Sequence, residues 1–486
     1  MRHQSLDHAD LFVAMHMTNP RLDPTCSGVS YNISRNSTYN RDFHEAAFIK
    51  YSSRYLWYVV ALLTVASTLS FIDRQILNVM IGPIKRDLGG LTDTEISLII
   101  GLAFSLIYTI VTVPLARLAD HRSRRNIIAA GIFAWSAMTA LAGMANTYWQ
   151  LFAARMGVGV GEAALGPAST SMLADFFEDN QLPLAYGIVG TAPFIGTGLA
   201  SIVGGPLIDY LEAQPNLVLP VFGEVFSWQT VLIVVGLPGL LIAALMFTIG
   251  EPKRRGVQSE SASGFPIREV FAFIRGRSRY FTMHFVAYLC LSMQGFAFLT
   301  WIVEFFVRNH GWTRTEIGLS YGFIALIVGI MGSVGAGFYA GRLIGKGRGD
   351  SPMRITFYGT LVLGPLAVLM PLVDDAYVAL ALVVPITFFM AVPPGLSNAA
   401  LQAISPNQMR GQIIAFYLIC VSFLSYLFAP LIIGLMNDYV FQSEDAIGLS
   451  LSTLAVLNYG IAAVCLGLSL KPLRKALAQA QAWQQG

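Results

Sequence analysis

Twelve long apolar stretches, parted by short polar ones, limit what this chain can fold into. They cover about 55–84, 95–118, 126–145, 148–177, 184–210, 228–249, 280–307, 317–344, 355–373, 377–404, 412–437 and 448–470. A helix needs roughly 20 apolar residues to cross a bilayer. Lipid offers no partner to backbone polar groups, so such segments become helices. Charged residues make up 12% of the 486, about half the share found in soluble domains. The expected fold is an all-α membrane protein with twelve transmembrane helices in two pseudo-symmetric six-helix bundles.

Lys and Arg are shared unequally between the loops. The second segment is followed by Arg117, Arg122, Arg124 and Arg125, and the sixth by Lys253, Arg254, Arg255, Arg268, Arg275, Arg277 and Arg279. The eighth is followed by Arg342, Lys346, Arg348 and Arg354, and the last by Lys471, Arg474 and Lys475. The odd loops offer only Lys85, Arg86, Arg308 and Arg314, among several acids. The positive-inside rule then puts both termini and the even loops in the cytoplasm of a cell, placing the multi-pass protein in the inner membrane.

The domain division follows from these spacings. Residues 1–52 read as a polar, disordered cytoplasmic tail without the apolar region of a signal peptide. Residues 53–249 form an N-terminal bundle, 250–279 a cytoplasmic linker, 280–470 a C-terminal bundle and 471–486 a cytoplasmic tail. In the linker, Ile267, Val270, Phe271 and Ile274 alternate with Arg268 and Arg275. That pattern suits a basic amphipathic helix on the inner membrane surface; a solvated linker is the other reading. Small residues followed by a basic cluster recur at 116–125 and 337–346, and Pro167 aligns with Pro394. These matches support duplication, a pattern of transporters with a site between repeats.

Asp73 and Arg74 interrupt the first segment near its middle. An ionisable side chain there costs roughly 2.5–3.5 kcal/mol on insertion scales, so it calls for a partner, a wet cavity or a role. In the fourth segment Arg155 and Glu162 lie seven residues apart, on one helical face. Gly157, Gly159 and Gly161 between them permit close helix approach. At about 1.5 Å per residue, Asp73 lies within about one turn of either in depth. It is expected to pair with Arg155 and compete with Glu162 for it, while Arg74 meets Glu162. Burial raises a carboxylate's proton affinity and a neighbouring guanidinium lowers it, which makes Asp73 and Glu162 the candidates for proton coupling. Arg74 and Arg155 are candidates for binding a carboxylate or phosphate. Static ion pairs locking two helices are the competing account.

Ala116 to Arg125 resembles the loop signature of the major facilitator superfamily at Leu118, Ala119, Asp120, Arg124 and Arg125; Ala116 and Ser123 stand where that signature has glycine. Phe71-Ile-Asp73-Arg74, with Arg155-Met-Gly157-Val-Gly159-Val-Gly161-Glu162-Ala163, resembles the spinster family within it. The superfamily resemblance implies a cytoplasmic latch at Asp120, Arg124 and Arg125, against topogenic charge and helix capping as the alternative. The spinster resemblance implies proton-coupled transport of lysophospholipids or sphingoid-type lipids by alternating access.

Further candidates are weaker. Gln294 and Asn398 lie within apolar segments and suit either cavity lining or inter-helix hydrogen bonds. Tyr321 and Tyr417 belong to aromatics that would make a C-terminal cavity wall apolar. Glu304 and Arg308 suit an interfacial i,i+4 pair or a gate, and His284 an interfacial position. One charged and one apolar wall suit an amphipathic small molecule. A proton-coupled carrier of small organic anions or drug-like molecules is the alternative. Cys26, Cys290, Cys420 and Cys465 lack metal-ligand spacing, and no metalloprotease motif or deep Ser/His pair points to an enzyme. The expected partners are the bilayer and the substrate, with no nucleic acid; the expected state is a monomer. No cofactor is expected beyond a proton gradient.

Overall fold

A computed structural model describes residues 51–178, 181–219, 223–254, 266–406 and 408–485. The expected tail 1–52 and the linker stretch 255–265 fall almost wholly outside them. Eleven helices among the described residues are long and apolar enough to cross a membrane. They are α1 Ser53–Val79, α2 Asp93–His121, α3 Arg124–Ala142, α5 Leu182–Glu212 and α6 Ser227–Thr248 in the first half. The second half has α8 Ser278–His310, α9 Arg314–Gly345, α10 Ser351–Leu372, α11 Ala376–Ile404, α12 Arg410–Phe441 and α13, which begins at Ile447.

The twelfth span is α4, broken into Tyr148–Glu162 and Leu165–Phe176. Its counterpart α11 breaks at the matching place, between Met390 and Pro393. The sequence feature behind both is the aligned Pro167 and Pro394, since proline removes a backbone donor and crowds the preceding turn. A surface helix, α7, spans Ile267–Gly276. It buries only Val270 while Ile267 and Phe271 stay exposed. Helix α13 runs past Leu470 to Gln485. A short hairpin, Leu217–Leu219 with Gly223–Val225, joins α5 to α6.

The two ends of the bundle differ in charge. One carries the Arg-rich even loops and is called here the basic end. At the opposite end, α2 and α9 open on the same capping box. Thr92 accepts from the Glu95 N–H at 3.1 Å, and Thr313 from the Glu316 N–H at 3.1 Å. Such reciprocal caps satisfy donors that a helix start leaves free.

Helix contacts rest on small residues. A Cβ on Gly161 would stand 2.7 Å from the Gly131 carbonyl, so α4 and α3 touch backbone to backbone. The halves join along two seams of the same kind. In α2 against α12, a Cβ on Gly101 would meet the Tyr426 carbonyl at 3.0 Å. In α5 against α9, a Cβ on Gly198 would meet the Gly322 carbonyl at 2.8 Å. Both partners of the first seam carry a π-helical turn, Leu98–Ala103 and Ile419–Phe423. Such turns are frequent at functional sites.

Between described residues, every hydrogen bond and ion pair joining the halves lies on the opposite-end side. These include Asn78 to the Leu299 carbonyl at 3.4 Å, Ser97 to the Pro430 carbonyl at 2.9 Å and Arg308 to Asp93 at 2.9 Å. The arginines of the basic end bond within their own half.

Candidate functional site

Asp73, Arg74, Arg155 and Glu162 meet in the N-terminal half, where α1, α2, α3 and α4 pack together. Asp73, Arg155 and Glu162 are buried, and the Arg74 side chain is 13% exposed. Arg74 Nε donates to Glu162 Oε2 at 2.6 Å, and the Ser70 hydroxyl donates to the same oxygen at 2.5 Å. Ser70 and Arg74 are four residues apart and share the α1 face turned to α4.

Asp73 does not take Arg155 as expected from depth. Its Oδ2 accepts a hydrogen bond from Thr139 of α3 at 2.6 Å, and its Oδ1 is buried with no partner. The cause is helical geometry: neighbours in sequence point about 100° apart around the axis. With Arg74 aimed at α4, Asp73 turns to α3.

Arg155 consequently has no carboxylate within ion-pair distance among the described residues, and its Nε is buried without a partner. It rests over Phe104, with Cζ 5.6 Å from the ring centroid. Arg74 lies over the same ring at 4.6 Å and over Phe71 and Tyr108 at 5.0 Å each. Guanidinium over aromatic faces is favourable where water is scarce. Tyr426 closes the site from the other half, 5.5 Å from Phe104 and 4.7 Å from Phe296 between ring centroids. The site thus holds an unpaired guanidinium and two carboxylate oxygens without partners, Asp73 Oδ1 and Glu162 Oε1.

The four candidates of the second half share no hydrogen bond, ion pair or ring contact with this cluster. Gln294 donates to the Leu451 carbonyl at 3.3 Å and accepts from Asn458 at 3.5 Å, fastening α8 to α13. Tyr321 is buried edge-on to Phe298. Asn398 donates to the Pro394 carbonyl of its own helix at 3.4 Å. The Tyr417 hydroxyl accepts from Ser397 at 2.7 Å and its ring borders His284. His284 is not interfacial: it is fully buried among Tyr280, Tyr288 and Tyr417, because α8 turns that face onto the bundle core.

The three basic-end candidates differ. Asp120 is exposed, with no partner among the described residues. Arg124 is buried and pairs with Asp175 and with Glu251 at 2.8 Å, and it donates to the Pro252 carbonyl at 3.1 Å. The Arg125 N–H donates to Glu251 at 2.9 Å. All these partners lie in one half. Glu251 is partly buried, which raises its proton affinity, but the Arg125 N–H, Arg124 and Ser123 outweigh this and hold it below its ordinary 4.5. A depressed carboxylate stabilises the fold above its unfolded pKa, and that contribution fades as pH falls through the folded value. The melting temperature is therefore expected to fall as pH drops below Glu251's ordinary 4.5. Glu251→Gln should melt lower at neutral pH and lose part of that acid-side slope, which scanning fluorimetry across pH will measure.

At the opposite end, a denser network was not legible in the loop charges. Buried Asp93 accepts from Arg308 at 2.9 and 3.1 Å, from Asn437 at 2.8 Å, and from Lys85. Arg308 also binds Glu304 at 2.8 Å, so their i,i+4 pair is one arm of an inter-half cluster. Asp438 of α12 accepts from the Thr94 N–H at 2.7 Å, and Asp209 of α5 from the Thr315 N–H at 2.7 Å. Each half therefore seats an acid from its fifth span on the N-terminus of the other half's second span, where the helix dipole favours negative charge. The repeated Thr-x-Thr-Glu at 92–95 and 313–316 is the sequence signal that could have found it.

Comparison with known proteins follows this geometry. A family model described as Major Facilitator Superfamily matches residues 63–430. An MFS-type efflux pump of Mycolicibacterium smegmatis is 26% identical over 443 residues, covering 88% of this chain and 95% of its own. The probable galactarate/D-glucarate transporter GudP of Bacillus subtilis is 26% identical, covering 60% and 66%. The protein spinster of Drosophila melanogaster is 22% identical, covering 64% and 50%. A crystal structure of a bacterial homologue of the human lysosomal transporter spinster, inward-facing and unoccupied, superposes with a TM-score of 0.72 at 22% identity. It covers 88% of this chain and 99% of that one.

Proposed function

The chain belongs to the Major Facilitator Superfamily, and on that premise we propose that it is a proton-coupled secondary transporter moving an amphipathic substrate by alternating access. Members of the family are transporters, not enzymes, and so is this chain. The substrate class of the proposal is a lysophospholipid or sphingoid-type lipid.

The observation that carries the reading is the unpaired Arg155 beside Asp73 and Glu162. A buried cation without an ion-pair partner is costly, so the site favours an anionic group. A phosphate or carboxylate fits the guanidinium fork of Arg155. Protonation of Asp73 removes its pull on Arg155 and frees that arginine for the substrate. Loss of the proton restores a negative charge beside Arg155, which competes with the substrate anion and weakens the hold on it. Phe104, Tyr108, Phe296 and Tyr426 supply apolar surface for the remainder of an amphipathic molecule.

The orientation of the proposal puts the basic end in the cytoplasm, both termini included, of a protein acting as a monomer in the cell's inner membrane. Among the described residues, the hydrogen bonds and ion pairs that join the halves lie near the opposite end, which supports an inward-open reading of this conformation. Asp120, Arg124 and Arg125 would then close the cytoplasmic side when the site faces out.

Relatives named for sugar-acid transport support a second reading, a proton-coupled carrier of small organic anions. Purified protein in liposomes with an imposed pH gradient separates the two. The expected result is accumulation of a labelled lysophospholipid that stops when the gradient is collapsed, with no accumulation of galactarate. Galactarate uptake without lysolipid uptake would transfer the proposal to the second reading.

A further inference from the structure

A cavity of about 620 Å³ lies at the basic end, away from the charge cluster, between the start of α8 and the far end of α13. Arg277 and Arg279 line one wall; Lys471, Lys475 and Gln479 line the other. Lys471 and Lys475 are one turn apart and so share a face of α13. Leu473, on another face of that stretch, is buried against the bundle. Arg277 ties the walls together, bonding Gln479 at 3.2 Å and stacking on Phe273 of α7 at 4.2 Å. Among the described residues, no acidic side chain lines the cavity, and Arg279, Lys471 and Lys475 have no acidic partner.

Cations gathered around one space repel one another, and an anion placed among them relieves that repulsion. The location selects the anion. Helix α7 beside the cavity exposes Ile267 and Phe271, an apolar face suited to the bilayer surface. Half-exposed Leu468 forms part of the rim on the membrane-spanning side. Helix α8 also starts here at Ser278, adding its N-terminal dipole to the positive field. We propose that this cavity binds the phosphate of an anionic phospholipid headgroup, whose acyl chains lie along Leu468. Basic pockets between spanning helices commonly take such headgroups.

The test uses full-length protein in neutral detergent, titrated with dioleoylphosphatidylglycerol, with dioleoylphosphatidylcholine or with inorganic phosphate, and read by thermal shift and native mass spectrometry. A ligand of the folded state raises the melting temperature. Phosphatidylglycerol is expected to do so and to remain bound in the gas phase; the other two are not. Arg279→Gln with Lys475→Gln should weaken phosphatidylglycerol binding by about tenfold or more. Lys471→Gln alone should weaken it by a smaller factor. Lys346→Gln with Arg348→Gln, which removes equal charge elsewhere on the basic end, should leave it unchanged. Equal binding by the cavity and control variants would overturn the site. Inorganic phosphate binding as tightly as the lipid would overturn the lipid as its source.

Discussion

Asp73→Asn and Glu162→Gln are each expected to reduce pH-driven uptake in liposomes to the level of protein-free vesicles, while substrate exchange without a gradient survives within a few-fold. Both substitutions keep the size and most hydrogen bonding of the side chain and remove its proton. Asn at 73 still accepts from Thr139, now at 2.6 Å from Asp73 Oδ2. Gln at 162 still offers an oxygen to Ser70 and Arg74. Neither variant can change charge at the substituted position, so the proposed competition between that carboxylate and a substrate anion for Arg155 is lost.

The two variants should differ in stability. Breaking a buried ion pair from one side costs about 3–5 kcal/mol. Glu162→Gln strips Arg74 of its counter-charge, though the aromatic faces of Phe71, Phe104 and Tyr108 still shelter it. Asp73 has no such pair to lose, so Asp73→Asn should melt near the parent. Exchange that depends on pH in the parent and is flat in both variants distinguishes proton coupling from a purely structural role. Gradient-driven accumulation surviving in both would remove these residues from the mechanism.

What the sequence made legible follows the cost of charge in lipid. Asp73, Arg74, Arg155 and Glu162 stand out because each is expensive in an apolar run, whatever surrounds it. Their depth was countable, and it brings all four into one cluster. Which partner each takes depends on how α1 is rotated against α3 and α4, and depth carries no information on rotation. Thr139 is neutral and common in spanning helices, so nothing marked it as the residue that holds Asp73. Gln294 drew attention by its polarity, but a mid-helix amide serves packing as readily as a cavity, and here it fastens two helices. At the helix ends the logic inverts. Charge is cheap there, so Lys85, Asp93 and Arg308 look like ordinary loop residues, and only the fold reveals that Asp93 is wholly buried.

That buried aspartate supports the second large effect: Asp93→Asn is expected to shift the protein toward conformations open at the opposite end. Asp93 joins Lys85 of its own half to Arg308 and Asn437 of the other. Without its charge, Lys85 keeps only the exposed Glu444 and Arg308 keeps Glu304 and Glu444, so both cations lose the buried carboxylate that joins them across the halves. They lose far less when the end opens and water solvates them, so the substitution penalises the closed form selectively. A difference of about 3 kcal/mol, at the low end for a broken buried pair, moves a two-state equilibrium by about 100-fold. Asn78→Cys reports the change. Asn78 is buried where α1 meets α8, beneath the lock. In a background with Cys26, Cys290, Cys420 and Cys465 replaced by serine, a membrane-impermeant maleimide added at the opposite end should label it slowly. Asp93→Asn should speed that labelling by an order of magnitude or more and slow net transport, because a carrier held open at one end cannot complete its cycle. Asp93→Asn and Arg308→Gln together should fall well short of the sum of the single effects, since groups in one network are not independent. Asp438→Asn should act in the same direction more weakly, through lost charge at the α2 N-terminus. Labelling at the parent rate in Asp93→Asn would show that the small-residue seams, Gly101 of α2 against α12 and Gly198 of α5 against α9, hold that end closed without the ion network.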